Sequence, residues 1–518
     1  MPSRHEIKET STGIILLIIL SFLILNNIQA LKAEPLPTIK AVINVDDTGN
    51  ATVKITFKTL GKTKILFTLP KFENYTICES YGTPQIVNAP SSAYFYYNST
   101  INLNPGENGT AILSICYKFP YASLLADNQG WFMSPMLVST PPVNIEVYVK
   151  IPNVDKITLE SPISTGINVN GYRRYVLAPG TPTVISGRVV IEYLTLSNVT
   201  TVDFNTSVRD TTIRVQSPPF YKSLAQRVLT VASKAYANLT SMTGVSLQEL
   251  VFRFYLPKQS LGGITTLGFV MGEDINAGGR GPIMLNLGLI RYAPGYLETT
   301  IIHEMVHAFL GKAGVEANDE TRWFHEGLAQ YISISVAESL GYNVAELRND
   351  MINASRTLYK YYEGNLSLIQ HWPTVPELVG DAYLASFYII ENLSATYNGE
   401  AFIKSLFQAI RDYGKVKTTN DIVAVLSIAA GKNLAPLFRS WGFKDIKDWN
   451  PPATSKDTTS APSSSTTFET VVLGIGIAIG VITYFLNEKV QKEIDIARSK
   501  SVFEKIEKNA ENHSIFWT

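Results

Sequence analysis

The stretch His303-Glu304-Met305-Val306-His307, followed after eighteen intervening residues by Glu326 within Trp323-Phe324-His325-Glu326-Gly327-Leu328-Ala329, decides how the second half of this 518-residue chain is read. Histidines four apart share one face of a helix, so both imidazoles reach a single metal ion. Glu304 is placed to touch a water on that metal without ligating it. Glu326, from a second helix, completes a two-histidine, one-glutamate set with an open fourth position. That is the composition of a hydrolytic zinc site.

Ile301, Ile302, Met305, Val306, Phe309 and Leu310 make the first helix mostly apolar, which sets the histidines at the edge of a core rather than on a free face. It is expected from about Pro294 to Leu310, stopping at Gly311 and Gly314. The second helix is expected from about Glu320 to Leu340, ending at Gly341. Leu310 and Ala313 stand where a glycine and a third histidine would be needed, so a histidine third ligand in that spacing is excluded. His325 competes with Glu326, but adjacent helical residues point about 100° apart and only one of them faces the metal. The oxygen ligand is preferred, with His325 as a neighbour in the cleft.

Upstream of the motif, Ser217-Pro218-Pro219 opens a helical pattern carried by Tyr221, Leu224, Val228, Val231, Ala235 and Leu239 to Gly244. Leu250 to Leu256 reads as a buried strand. After a glycine-rich segment, Leu261 to Gly281, the run Pro282 to Leu287 reads as an edge strand. Earlier still, from about Thr38 to Thr200, the period is two: Val53, Ile55 and Phe57 alternate with Thr52, Lys54, Thr56 and Lys58 after the turn Asp46-Asp47-Thr48-Gly49-Asn50. No helix-length amphipathic run interrupts this region, so an all-β, sandwich-like domain is expected, with no chemical motif in it.

The ends of the chain suggest export. Arg4 and Lys8 precede the apolar run Gly13 to Leu25, which fits a signal-peptide core better than an N-terminal anchor. Phe468 to Leu486 is apolar except for Glu469 and small hydroxyls, and is followed by Lys489, Lys492, Arg498 and Lys500, the pattern of a single span with the tail inside. Pro451 to Thr467 is Ser/Thr/Pro-rich and reads as a stalk. Asn50, Asn74, Asn98, Asn108, Asn198, Asn205, Asn238, Asn353, Asn365 and Asn392 each head an Asn-X-Ser/Thr triplet, and Asn512 heads another in the expected inner tail. Outside the cell, Cys78 and Cys116 are expected to be bridged. Gly476 and Gly480 form a small-xxx-small pair that suits a homodimer through the span. With 44 basic and 44 acidic residues the chain offers no electrostatic case for a nucleic-acid partner.

The expected organisation is therefore a signal peptide over 1–33, a β-sandwich-like domain over 34–204, a metal-binding domain over 205–450, a stalk over 451–467, a transmembrane helix over 468–486 and a cytoplasmic tail over 487–518. This arrangement places the metal domain outside the cell membrane.

His303-Glu304-x-x-His307, the eighteen-residue gap and Glu326-Gly327-x-Ala329 resemble the gluzincin metallopeptidases, the thermolysin-like and aminopeptidase N-like group. Asp381-Ala382-Tyr383-Leu384-Ala385-Ser386-Phe387, with Ala430-Gly431-Lys432-Asn433-Leu434 and Trp441, resembles the helical end of peptidase-MA-like domains, so the likeness covers about Asn205 to Lys447. The resemblance implies an α+β thermolysin-like domain with a helical C-terminal part, Zn²⁺ on His303, His307 and Glu326, and hydrolysis of a peptide or protein substrate with Glu304 as general base. It also implies a tyrosine on a later helix as donor to the oxyanion. Tyr383, fifty-seven residues after Glu326, stands in a comparable place, where an ordinary core tyrosine is the competing reading. The edge strand at Pro282 to Leu287 would pair with substrate backbone. The aminopeptidases' Gly-x-Met-Glu-Asn loop has no clean counterpart, since Gly272-Glu273-Asp274-Ile275-Asn276 is a distorted echo read as a polar loop. An endopeptidase is thereby favoured over an aminopeptidase. The alternative is a non-catalytic surface or adhesion protein with a structural zinc site, against which the retained Glu304 argues.

Overall fold

The structure, a computed structural model, describes residues 36–89, 94–167 and 170–449. The chain divides into two compact units. One holds the residues up to Ala122 with Met133–Pro152 and Leu159–Ile191; the other holds Ser123–Phe132, Asn153–Thr158 and everything from Glu192.

Alternation builds the first unit. Ile39, Ala41 and Ile43 of Thr38–Val45, Val53, Ile55 and Phe57 of Ala51–Thr59, and Leu113, Ile115 and Tyr117 of Ala111–Phe119 are buried while their neighbours face outward. These three strands are central in a seven-stranded sheet. A four-stranded sheet is built on Thr63–Pro70 and Tyr96–Leu103, and Phe67 from it meets Phe57 edge-on at 5.0 Å. Strand Thr76–Tyr81 lies at the edge of the larger sheet, with a register shift between Ile77 and Glu79 that leaves Cys78 as the extra residue. Cys78 and Cys116 are joined by a disulfide, the pairing expected of them. A third sheet has four strands, among them Ser123–Ala126 and Gln129–Met133.

The second unit is laid on a five-stranded mixed sheet of β1 (Val202–Val208), β2 (Thr211–Ser217), β3 (Glu249–Tyr255), β4 (Gly268–Phe269) and β5 (Pro282–Asn286), in the order β1-β2-β3-β5-β4. Strands β2, β3 and β5 run parallel, so β2 must cross over to reach β3. Helix α1 (Lys222–Thr243) is that crossover. It buries Leu224, Val228, Val231, Ala235 and Leu239 along one stripe and is closed by Gly244 at φ 62°.

Helices α2 (Gly272–Asn276), α3 (Tyr296–Ala313), α4 (Arg322–Ser339), α5 (Ala345–Tyr361), α6 (Pro376–Thr396), α7 (Glu400–Tyr413), α8 (Thr419–Ala430) and α9 (Ala435–Ser440) complete the described part. Helix α3 is buried along nearly its whole length and is pinned at its start by Glu298, which accepts from the Gly295 N–H at 3.0 Å and pairs with Arg227. Gly314, at φ 111°, ends it. Helix α4 approaches α6 backbone to backbone, because a Cβ on Gly327 would lie 2.6 Å from the Ser386 carbonyl oxygen.

Two expectations are corrected here. The described residues form a β-rich fold of four sheets, not a single sandwich followed by a thermolysin-like domain and a membrane helix. Alternation identifies strands and their buried faces, but it does not say which sheet each strand joins. Thr38–Val45, for example, pairs in parallel with Ile145–Lys150, about a hundred residues away. Nor is the single-pass membrane arrangement supported, since among the described residues no helix is long and apolar enough to cross a membrane. Helix α1, at 22 residues, carries Lys222, Arg227 and Lys234, and α6, at 21, carries Glu377, Asp381 and Glu391. The expected signal segment, stalk, span at 468–486, its Gly476/Gly480 pair and the tail lie outside the described residues.

Candidate metal centre

Helix α3 carries His303 and His307 one turn apart, and α4 brings Glu326 against them. One ligand atom from each of the three lies within 4.8 Å of the others. Glu326 Oε2 is 3.2 Å from His303 Nε2 and 3.6 Å from His307 Nε2. All three are buried, with relative exposures of 3%, 0% and 0% in chain order. The structure therefore brings together the three residues the motif singled out.

The polar atoms at this place are poorly satisfied by the protein itself. Both carboxylate oxygens of Glu304, both ring nitrogens of His307 and Glu326 Oε1 are buried without a hydrogen-bond partner. An orphaned buried carboxylate or imidazole costs free energy, so such a cluster needs a further partner. Two imidazole nitrogens and one carboxylate oxygen make a donor set of the kind that holds zinc with one position left open. Burial pushes the His303 imidazole down, which favours the neutral, ligating form. Burial opposes ionisation of Glu326, but the hydrogen bond with His303 at 3.2 Å and the neighbouring His307 ring outweigh it and hold its carboxyl below the ordinary range.

Glu304 is adjacent yet separate. It is 1% exposed, and burial first, then the Glu326 charge, pushes its carboxyl well above the usual carboxylate range. Gly268 of strand β4 lies against it, with no room for a Cβ between the two. His325 does not join the ligand set; its ring stacks obliquely on His307 at 5.7 Å, and burial lowers its pKa to about 3. Tyr383 is 2% exposed on α6, its ring edge-on to Trp372 at 5.1 Å, so the structure puts it in the core.

The strand expected at the sheet edge is not there. β5 is flanked by β3 and β4, and the edge is β4. A two-residue strand inside a glycine-rich segment carries no periodic signal in the sequence. Gly272 to Asn276, expected as a polar loop, is instead the one-turn helix α2 with Ile275 buried. Arg322 also had no motif to mark it. It stands one turn before Glu326 on α4, with Nε 3.8 Å from Glu326 Oε1 and its guanidinium 4.7 Å over the Trp372 ring. The i,i+4 spacing from Arg322 to Glu326 was the available signal.

No protein-family model matches this chain, and no curated protein matches it.

Proposed function

We propose that the chain is a zinc-dependent peptidase in which His303, His307 and Glu326 hold the metal and Glu304 is the general base. The supporting observation is the buried His303/His307/Glu326 cluster with the unpartnered carboxylate of Glu304 beside it. Zinc bound there supplies Lewis acidity, which eases loss of a proton from water and polarises a carbonyl.

The rest of the chemistry belongs to the side chains. Glu304 accepts a proton from the attacking water and returns it to the nitrogen of the leaving amine. Strand β4, at the edge of the sheet and against Glu304, offers backbone groups to an extended peptide. Tyr383 is the candidate donor to the oxyanion. An endopeptidase is favoured over an aminopeptidase, because Gly272–Asn276 is wound into α2 rather than laid out as a loop for a free amino terminus.

The test is metal content and cleavage of a mixed peptide pool by the purified chain, with Glu304→Gln as control. Stoichiometric zinc with internal cleavage that the control lacks is the expected result. A parent protein that holds no metal, or a control as active as the parent, overturns the proposal.

A further inference from the structure

The two oxygens of Glu326 have different partners. Oε2 faces the histidine pair, at 3.2 and 3.6 Å, while Oε1 has no hydrogen-bond partner and lies 3.8 Å from Arg322 Nε. Arg322 is itself largely buried, its side chain 11% exposed, and its Nε makes no hydrogen bond. A guanidinium so placed offers N–H donors toward that oxygen.

What holds it there is a built support. The guanidinium carbon lies over the Trp372 ring, 4.7 Å from its centre, a cation–π contact strengthened by burial. Trp372 is fixed in turn: its backbone N–H donates to Asp319 Oδ1 at 3.1 Å, and His371 Nδ1 lies 3.2 Å from Asp319 Oδ2. Asp319 lies just before α4, so the segment carrying the aromatic shelf is tied to the start of the helix that carries both Arg322 and Glu326.

We propose that Arg322 is a positioning residue for the metal ligand Glu326, holding the distal carboxylate oxygen so that the near one is presented to His303 and His307. The proposal rests on the metal-site reading above. A carboxylate that ligates through one oxygen leaves the other buried and negative, and a partner for that oxygen fixes the rotation of the group. Such outer partners of a ligand typically contribute about 10–100-fold in metal affinity. The competing role is packing alone, the arginine stem filling space on Trp372.

The two roles separate in one experiment on the full chain. Zinc affinity is measured by competition with a chromophoric chelator, and the melting temperature of the metal-free protein is measured alongside. Arg322→Met keeps an apolar stem on Trp372 and removes the charge. Its zinc affinity is expected to fall by about 10–100-fold, with the metal-free melting temperature close to the parent's and Arg322→Lys intermediate in affinity. Affinity within twofold of the parent overturns the positioning role while leaving the metal site in place. Absence of zinc binding by the parent overturns the metal site and this proposal together, and the parent arm identifies that case. Should Arg322→Met fail to fold, Arg322→Lys and Trp372→Phe decide: a severalfold loss in either supports the proposal, and parent-like affinity in both overturns it.

Discussion

Gly268 lies so close over Glu304 that a Cβ on it would stand 2.8 Å from Cγ and 2.9 Å from Oε1 of the carboxylate. The edge strand and the candidate general base are thus in direct contact, and the absence of a side chain at 268 is a requirement of the site. Gly268→Ala must displace either the strand or the carboxylate by several tenths of an ångström. A misplacement of about 1 Å at a reacting group costs on the order of 100-fold in rate. Peptide cleavage is therefore expected to fall by about 10–100-fold, with zinc content unchanged because neither residue is in the ligand set. Parent-like kcat/KM in this variant would show that Glu304 has room to spare.

Glu304→Gln separates function from stability. The parent carboxylate is 1% exposed with both oxygens unpartnered, which costs stability in the metal-free protein. Burial already favours the neutral acid in the metal-free protein, so the amide replaces one neutral buried polar group by another, and the melting temperature of chelator-treated protein is expected to stay within a few degrees of the parent's, the shift that about 1 kcal/mol makes in a domain of this size. Zinc content should be retained, while peptide cleavage drops by at least about 100-fold. Differential scanning calorimetry in the presence of a chelator checks the first half. A melting temperature many degrees away from the parent's contradicts it.

Cys78 and Cys116 are separated by 38 positions and cross-link an edge strand to its neighbour in the seven-stranded sheet. Closing a loop of that length restricts the unfolded chain by about 3–4 kcal/mol in the chain-entropy account. The double substitution Cys78→Ala, Cys116→Ala should lower the urea midpoint of the first unit accordingly. Zinc content should not change, since the metal-ligand candidates belong to the other unit. An unchanged midpoint would mean that the sheet holds Thr76–Tyr81 without the bridge.

What the sequence made legible here was local. His303 and His307 share a face because they are four apart on one helix, and the ends of α3 and α4 follow from Gly314 and Gly341. The eighteen-residue gap marks Glu326 as the third ligand candidate, while its approach depends on α4 packing against α3 and α6, where Gly327 has no room for a side chain against Ser386. Contacts made across long stretches of chain left no such trace. Arg322 meets Trp372 fifty positions on, and β4 takes the sheet edge through two residues, Gly268 and Phe269. Neither leaves a periodic pattern, because each is decided by tertiary packing rather than by neighbours in sequence.

The start of α8 supplies a pH test remote from the metal. Thr418 Oγ accepts from the Asp421 N–H at 3.2 Å, and Asp421 Oδ2 accepts from the Thr418 and Lys417 N–H groups at 3.0 Å each, a reciprocal cap. Tyr413 donates to the other oxygen at 2.7 Å. Partial burial opposes ionisation of Asp421, but these hydrogen bonds outweigh it and hold its carboxyl below the ordinary value of 3.8. A folded-state pKa below the unfolded one means that the unfolded chain binds the proton more readily, so stability from this group is present above 3.8 and lost as pH falls through the depressed folded value. Asp421→Asn should cost about 1 kcal/mol at neutral pH. The gap between variant and parent should narrow only in acid below the ordinary carboxylate range. Paired urea titrations at neutral and acidic pH measure it, and a gap of constant size across that window would assign the stabilisation to hydrogen-bond geometry alone, independent of the charge on Asp421.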